Sequence, residues 1–117
     1  MRMKLYHEER MDPIREAFEA DVLLFPEVNA RKMMGCPCYM AGNKMFATIM
    51  DDAIVITKLD DADRERLEAD FGAGPFTHGT KVMGSWSKVP VEGEGDLAPL
   101  LPYVKRSYEA ALKEYEG

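Results

Sequence analysis

Residues 31–58 read RKMMGCPCYMAGNKMFATIMDDAIVITK, a stretch that folds short β-prone runs around three separate turn signals. Gly35 with Pro37 marks the first, Ala41-Gly42-Asn43-Lys44 supplies the positive-φ positions of the second, and Asp51-Asp52 forms the tip of the third. The runs between them predict a strand over 28–34, a short one over 38–40, and a hairpin of 45–50 against 53–58. With a two-residue loop, Met50 opposes Ala53. One face then carries Met45, Ala47, Ile49, Ile54 and Ile56, and the other carries Phe46, Thr48, Met50, Val55 and Thr57. The first face is the better core candidate, and a slip of one residue would pair the wrong faces.

Upstream, Asp12-Pro13 reads as an N-cap followed by a proline suited to a first helical turn. Ile14, Ala17, Phe18, Ala20 and Val22 give that helix an apolar stripe, and Phe25-Pro26 ends it. Downstream, Asp60 opens a second helix whose positive end is crowded by Asp61, Asp63 and Glu65, and which Gly72 and Gly74-Pro75 stop. Strands over 80–83 and 86–89, joined through Gly84-Ser85, are predicted next. Asp96 then begins a last helix in which Leu97, Leu100, Leu101, Val104, Tyr108, Ala111, Leu112 and Tyr115 recur at helical spacing, with its regular part starting near Pro102. Helix, three strands, helix, two strands, helix is the order of an α+β two-layer sandwich, an antiparallel sheet with helices on one face.

A chain of 117 residues forms one domain and buries roughly two-thirds of the surface it exposes when unfolded. Its net charge of -6 argues against whole-molecule attraction to nucleic acid or anionic lipid. The charge is unevenly spread. Over 31–58 and 77–91 the bases Arg31, Lys32, Lys44, Lys58, Lys81 and Lys88 face only Asp51 and Asp52, a local +4 that leaves -10 on the remainder. No run approaches the ~20 apolar residues of a membrane span, and residues 1–21 lack the apolar segment of a signal peptide. Cys36 and Cys38, separated only by Pro37, are poorly placed to bridge each other, and two free thiols point to a reducing cytoplasm.

The segment over 31–50 resembles the start of the TfoX N-terminal domain, whose members show a Met-Phe-Gly turn, a short strand with an aromatic, a Gly/Asn turn and a Met-Phe-Ala strand. Met33, Gly35, Tyr39, Gly42, Met45, Phe46 and Ala47 match, and Met34 stands where phenylalanine is usual. The acidic hairpin, the helix from Asp60, Pro75-Phe76, Trp86 before Val89-Pro90, and Ser107-Tyr108 with Ala110-Ala111 carry the likeness out to Leu112. The resemblance implies a two-layer arrangement similar to secretion chaperones. It places the chain among domains linked to regulation of natural competence and many small proteins of unassigned role. These motifs are glycines, aromatics and turn residues, which specify a fold better than a reaction.

Candidate chemistry is thin. A structural metal centre wants about four ligands, and only His7 and His78 stand to join Cys36 and Cys38, without finger spacing, so neither metal nor cofactor is expected. Thiol catalysis at Cys36 needs a base and a depressed pKa, and most free cysteines are small apolar groups, here in a tight turn. His78-Gly79-Thr80-Lys81 lacks the full phosphate-loop string. Asp51-Asp52 and Asp60-Asp61 sit where turns and helix starts favour aspartate. Trp86 with Phe46 and Tyr39 offers an aromatic platform for bases only if the three stay exposed, and their apolar area favours burial.

The sheet face opposite the helices is therefore the expected working surface, with Phe46, Thr48, Met50, Val55 and Thr57 on it and Lys44 at its margin. It fits a non-catalytic regulatory or protein-interaction module, a homodimer or a binder of another protein. A nucleic-acid accessory role for a basic sheet face and a thiol-dependent enzyme at Cys36 are the other readings. Shielding of both sheet faces within one chain would count against an open contact surface.

Overall fold

The central hairpin has the register that its two-residue loop demands. In the computed structural model Met50 pairs with Ala53, Ile49 with Ile54, Thr48 with Val55 and Ala47 with Ile56. The structure describes Tyr6 and residues 8–78 and 80–117, with only the backbone of His78. Its elements are α1 (Glu8–Val22), β1 (Val28–Met33), β2 (Cys36–Ala41), β3 (Lys44–Met50), β4 (Ala53–Ile56), α2 (Asp61–Phe71), β5 (Gly74–His78), β6 (Lys81–Pro90) and α3 (Leu101–Glu116). Two single turns of 3-10 helix, Glu94–Asp96 and Ala98–Leu100, lead into α3. The strands form one antiparallel sheet in the order β1-β2-β3-β4-β6-β5.

The α+β architecture is the expected one; all four β-prone runs before α2 are strands, one more than the order helix, three strands, helix counts, because the short run over 38–40 belongs to a full strand, Cys36–Ala41. Met34 and Gly35 both take positive φ, 53° and 80°, so the reversal is a tight hairpin turn at those two residues and not at Cys36-Pro37-Cys38. Pro37 therefore enters a full strand, paired with Lys32.

Two bulges set the sheet's shape. Tyr39 pairs with Ala47 but Met40 pairs with Met45, which leaves Phe46 as an extra residue in β3. The two neighbours exchange the faces that simple alternation predicts. Phe46 turns to the helices, its ring 5.6 Å from that of Tyr108, while Met45 joins the reverse face. In β6 the pairing steps from Pro75–Ser87 to Phe76–Met83, so Gly84, Ser85 and Trp86 form a bulge inside one ten-residue strand. They are not the hairpin turn expected from Gly84-Ser85. That reversal lies between His78 and Lys81.

The core lies between the sheet and the helices. Tyr39, Ala47, Ile49, Ile54 and Ile56 meet Ile14 and Phe18 of α1, Leu67 of α2, and Val104 and Tyr108 of α3. Helix α1 starts earlier than Asp12-Pro13 predicts. Buried Met11 draws that extra turn onto the core, and Asp12, instead of capping, accepts a hydrogen bond from Tyr6 Oη at 2.6 Å. Helix α2 is capped as expected, by Asp60 Oδ1 accepting from Asp63 N at 2.8 Å and by Gly72 at φ 69°. The carboxylate of Asp96 accepts from the N–H groups of Glu92 and Gly93, and regular helix begins at Leu101 beside Pro102.

Candidate functional site

The reverse face of the sheet is not flat and open. Thr48 and Val55 are 1% and 0% exposed, and Thr57 is buried with its Oγ1 donating to Met45 O at 3.0 Å. Phe46 has left this face through the bulge. Of the six residues expected to form the contact surface, only Met50 and Lys44 keep part of their surface, and Lys44 is outside the concavity described next. The bulges bend the sheet, so that residues of five strands come together over its reverse side.

They enclose a groove of about 240 Å³. Cys38 and Thr48 form its floor, Met45, Met50, Met83, Phe76 and Trp86 its walls, and Met33, Met34 and Lys81 its mouth. The Phe76 and Trp86 rings stack obliquely at 5.5 Å. Met33 and Met34 are 53% and 70% exposed, a large apolar area held in water. Thioethers on unbranched chains repack easily, which suits a surface that must fit a foreign side chain.

The charge around the groove has one sign. None of its ten lining residues is acidic, although the chain as a whole is. Lys81 lines the groove, and Arg31, the cross-strand neighbour of Cys38, shares the same sheet face beside it. Among the described residues neither makes an ion pair. Lys88, opposite Val55, is instead held by Asp51 at 2.9 Å, and Lys58 by Glu114 at 3.0 Å. The basic sheet face expected from sequence is thus reduced to two unpaired cations by the groove. The aromatic platform for bases is absent as well, since Tyr39 and Phe46 are buried towards the helices.

The family model for the TfoX N-terminal domain matches residues 22–111. The chain belongs to the TfoX N-terminal domain family. No curated protein and no solved structure matches it. In this TfoX N-terminal domain the motif residues have structural tasks. Gly42, at φ 60°, lies against the Tyr115 ring, where a Cβ would come within 2.3 Å of Cδ1. Ser107 Oγ accepts from Lys58 N at 3.0 Å and donates to Phe46 O at 2.7 Å, tying α3 to the β3 bulge. Tyr108 Oη donates to Pro26 O at 2.7 Å.

The thiols of this domain are sheltered. Cys36 is fully buried with its Sγ 3.9 Å from Met34 O, and burial, with Cys38 and Asp51 adding to it, pushes its pKa up to about 11. Cys38 donates to Thr48 Oγ1 at 3.3 Å, which in turn donates to Pro37 O at 2.8 Å. A nucleophilic cysteine needs the opposite shift, so Cys36 lacks the state that thiol catalysis requires at neutral pH. Among the described residues no group of three or more His, Cys, Asp or Glu is placed to hold a metal ion. His7, the His78 side chain and Gly79 lie outside those residues. The aspartate pairs are structural: Asp51 and Asp52 meet Lys88 and Arg10, Asp60 caps α2, and Asp61 meets Arg64. Among the described residues no helix is long and apolar enough to cross a membrane.

A polar network on the α1 side had no sequence signal. Tyr39 Oη donates to Glu19 at 2.7 Å, and Arg15 Nε donates to Tyr6 Oη at 3.1 Å and to Asp12 at 3.4 Å. Burial first, then the hydrogen bond to Asp12, push Tyr6 up to about 12, and burial followed by Glu19 raises Tyr39 as well. Both phenol protons are committed to carboxylates, which makes this network a brace between α1 and β2.

Proposed function

We propose that this domain is a non-catalytic interaction module, which receives an apolar anchor of a partner protein in the methionine-lined groove. One observation carries the reading: Met33 and Met34 stay exposed at the mouth of a concavity whose walls are almost wholly apolar. Its size points the same way. At about 240 Å³ it holds one or two large side chains, below the ~300–1,000 Å³ of typical small-molecule pockets. The protonated, sheltered thiol supports a binding role over thiol chemistry and is at home in a reducing cytoplasm.

Photoreactive methionine analogues placed singly at Met34, at Met83 and at Leu24 in the expressing cell test this reading. Leu24 is 81% exposed and does not line the groove, so it reports adventitious contact. Discrete adducts from Met34 and Met83 with none from Leu24 are expected. Equal patterns at all three positions, or none at the groove positions, would remove the proposal. Sedimentation over a dilution series separates a second copy of the chain from a foreign partner.

A further inference from the structure

Resting on that reading of the groove, we infer that its occupant is an acidic segment of a different protein, with carboxylates flanking a large apolar anchor. The reasons are electrostatic. An acidic chain with 21 Asp and Glu against 15 Lys and Arg places none of its carboxylates among the groove's lining residues. It sets two exposed cations by the groove, Lys81 of β6 in its lining and Arg31 of β1 across from the lining residue Cys38, and pairs neither among the described residues. Lys88 on β6 and Lys58 just after β4 have carboxylate partners, whereas Lys32 and Lys44, which do not line the groove, have no ion pair among the described residues. Two unpaired cations beside an apolar slot that holds no carboxylate complement an apolar anchor flanked by acids.

The same charges disfavour a second copy. A two-fold contact of groove with groove is isologous, so it brings Arg31 and Lys81 towards the same cations of the other copy. A basic flank on a foreign partner meets the same repulsion. Complementarity therefore selects both the sign of the partner and its foreign origin.

Trp86, the single tryptophan, lines the groove and reports occupancy by its own fluorescence. Three short synthetic peptides are titrated into the full chain: a Leu-Phe anchor flanked by glutamates, the same anchor flanked by lysines, and the glutamate peptide with serines for the anchor. The acidic anchored peptide is expected to bind roughly tenfold more tightly than the basic one at low salt, since each exposed ion pair contributes modestly. Added salt should narrow that gap. The double variant Arg31→Glu with Lys81→Glu alters only exposed side chains and should invert the order, with an unchanged circular-dichroism spectrum as the check on folding.

Equal binding of acidic and basic anchored peptides overturns the inference and leaves the groove reading standing. Failure of both to perturb Trp86 at any salt overturns the two together. Equal binding of the serine peptide also overturns it, because the attraction would then be charge alone. A concentration-dependent dimer lost in the double variant gives the groove to a second copy and contradicts a foreign partner.

Discussion

Replacing Ser107 with alanine removes one hydroxyl that performs two tasks at the junction of α3, β3 and β4. Ser107 is fully buried, and its Oγ is the recorded partner of Lys58 N, while Phe46 O retains Thr57 N at 3.1 Å. The substitution therefore strips the Lys58 N–H of its acceptor and removes one of two donors from a carbonyl in the β3 bulge. An unsatisfied donor costs about 1–3 kcal/mol and a lost hydrogen bond about 0.5–1.5 kcal/mol. Lys58 is only partly buried, so water recovers some of this, and a net loss of about 2 kcal/mol follows. Against a typical total of ~5–15 kcal/mol that is a large fraction. Urea unfolding followed by Trp86 emission, with a slope of ~1–3 kcal/mol per molar, should show a midpoint lower by about 1 M. Ser85→Ala, at an exposed position, should move it within the ~0.5 kcal/mol of ordinary surface changes. A Ser107→Ala midpoint as close to wild type as that of Ser85→Ala would refute the reasoning.

Gly42→Ala meets both a left-handed backbone and the Tyr115 ring, and should cost at least the ~1–2 kcal/mol of a non-glycine residue in that conformation. Because the ring is part of the obstacle, the double variant with Tyr115→Ala should lose less than the two singles added together, as read from thermal unfolding. Asp63, buried between Arg66 at 3.0 Å and Arg106 at 2.9 Å, should lose about 1–2 kcal/mol on change to Asn, whereas Arg66→Ala should cost less because Arg106 still covers the carboxylate. The pH dependence follows from Cys36, raised from 9.0 to about 11, and from Tyr6, raised from 10.0 to about 12. The unfolded chain releases these protons first, so their contribution is intact below about pH 9 and is lost as pH climbs through 11 and 12. A series of urea midpoints should fall over that window, and a flat series would contradict the burial of Cys36.

The hairpin, the helix from Asp60 and the start of α3 near Pro102 were legible because each rests on a local rule: loop length, capping, or a missing N–H. The bulges were not. Nothing in Met45-Phe46-Ala47 distinguishes a continuous strand from one with an inserted residue, since the choice is made by Tyr108 and Ser107, some 60 positions away, which take the Phe46 ring and its carbonyl. Gly84-Ser85 has turn composition but serves as a bulge, because β5 begins at Gly74 and supplies a partner strand long enough to carry β6 past it. Those two misreadings hid the site. Met33, Met34 and Met50 lie close together in the sequence. The part of Met83, Trp86 and Phe76 in closing a groove over them depended on curvature, which no local pattern encodes.

The methyl carbons of the methionines offer the most direct measurement, since the proposed contact surface is built largely from them. In protein labelled with carbon-13 at the methionine methyl groups, titration with the acidic anchored peptide should shift the resonances of Met33, Met34, Met45, Met50 and Met83. The signal of Met11, on the buried side of α1 and outside the groove, should stay in place. Unmoved groove methyls, with the peptide bound and resonances changing elsewhere, would contradict the account.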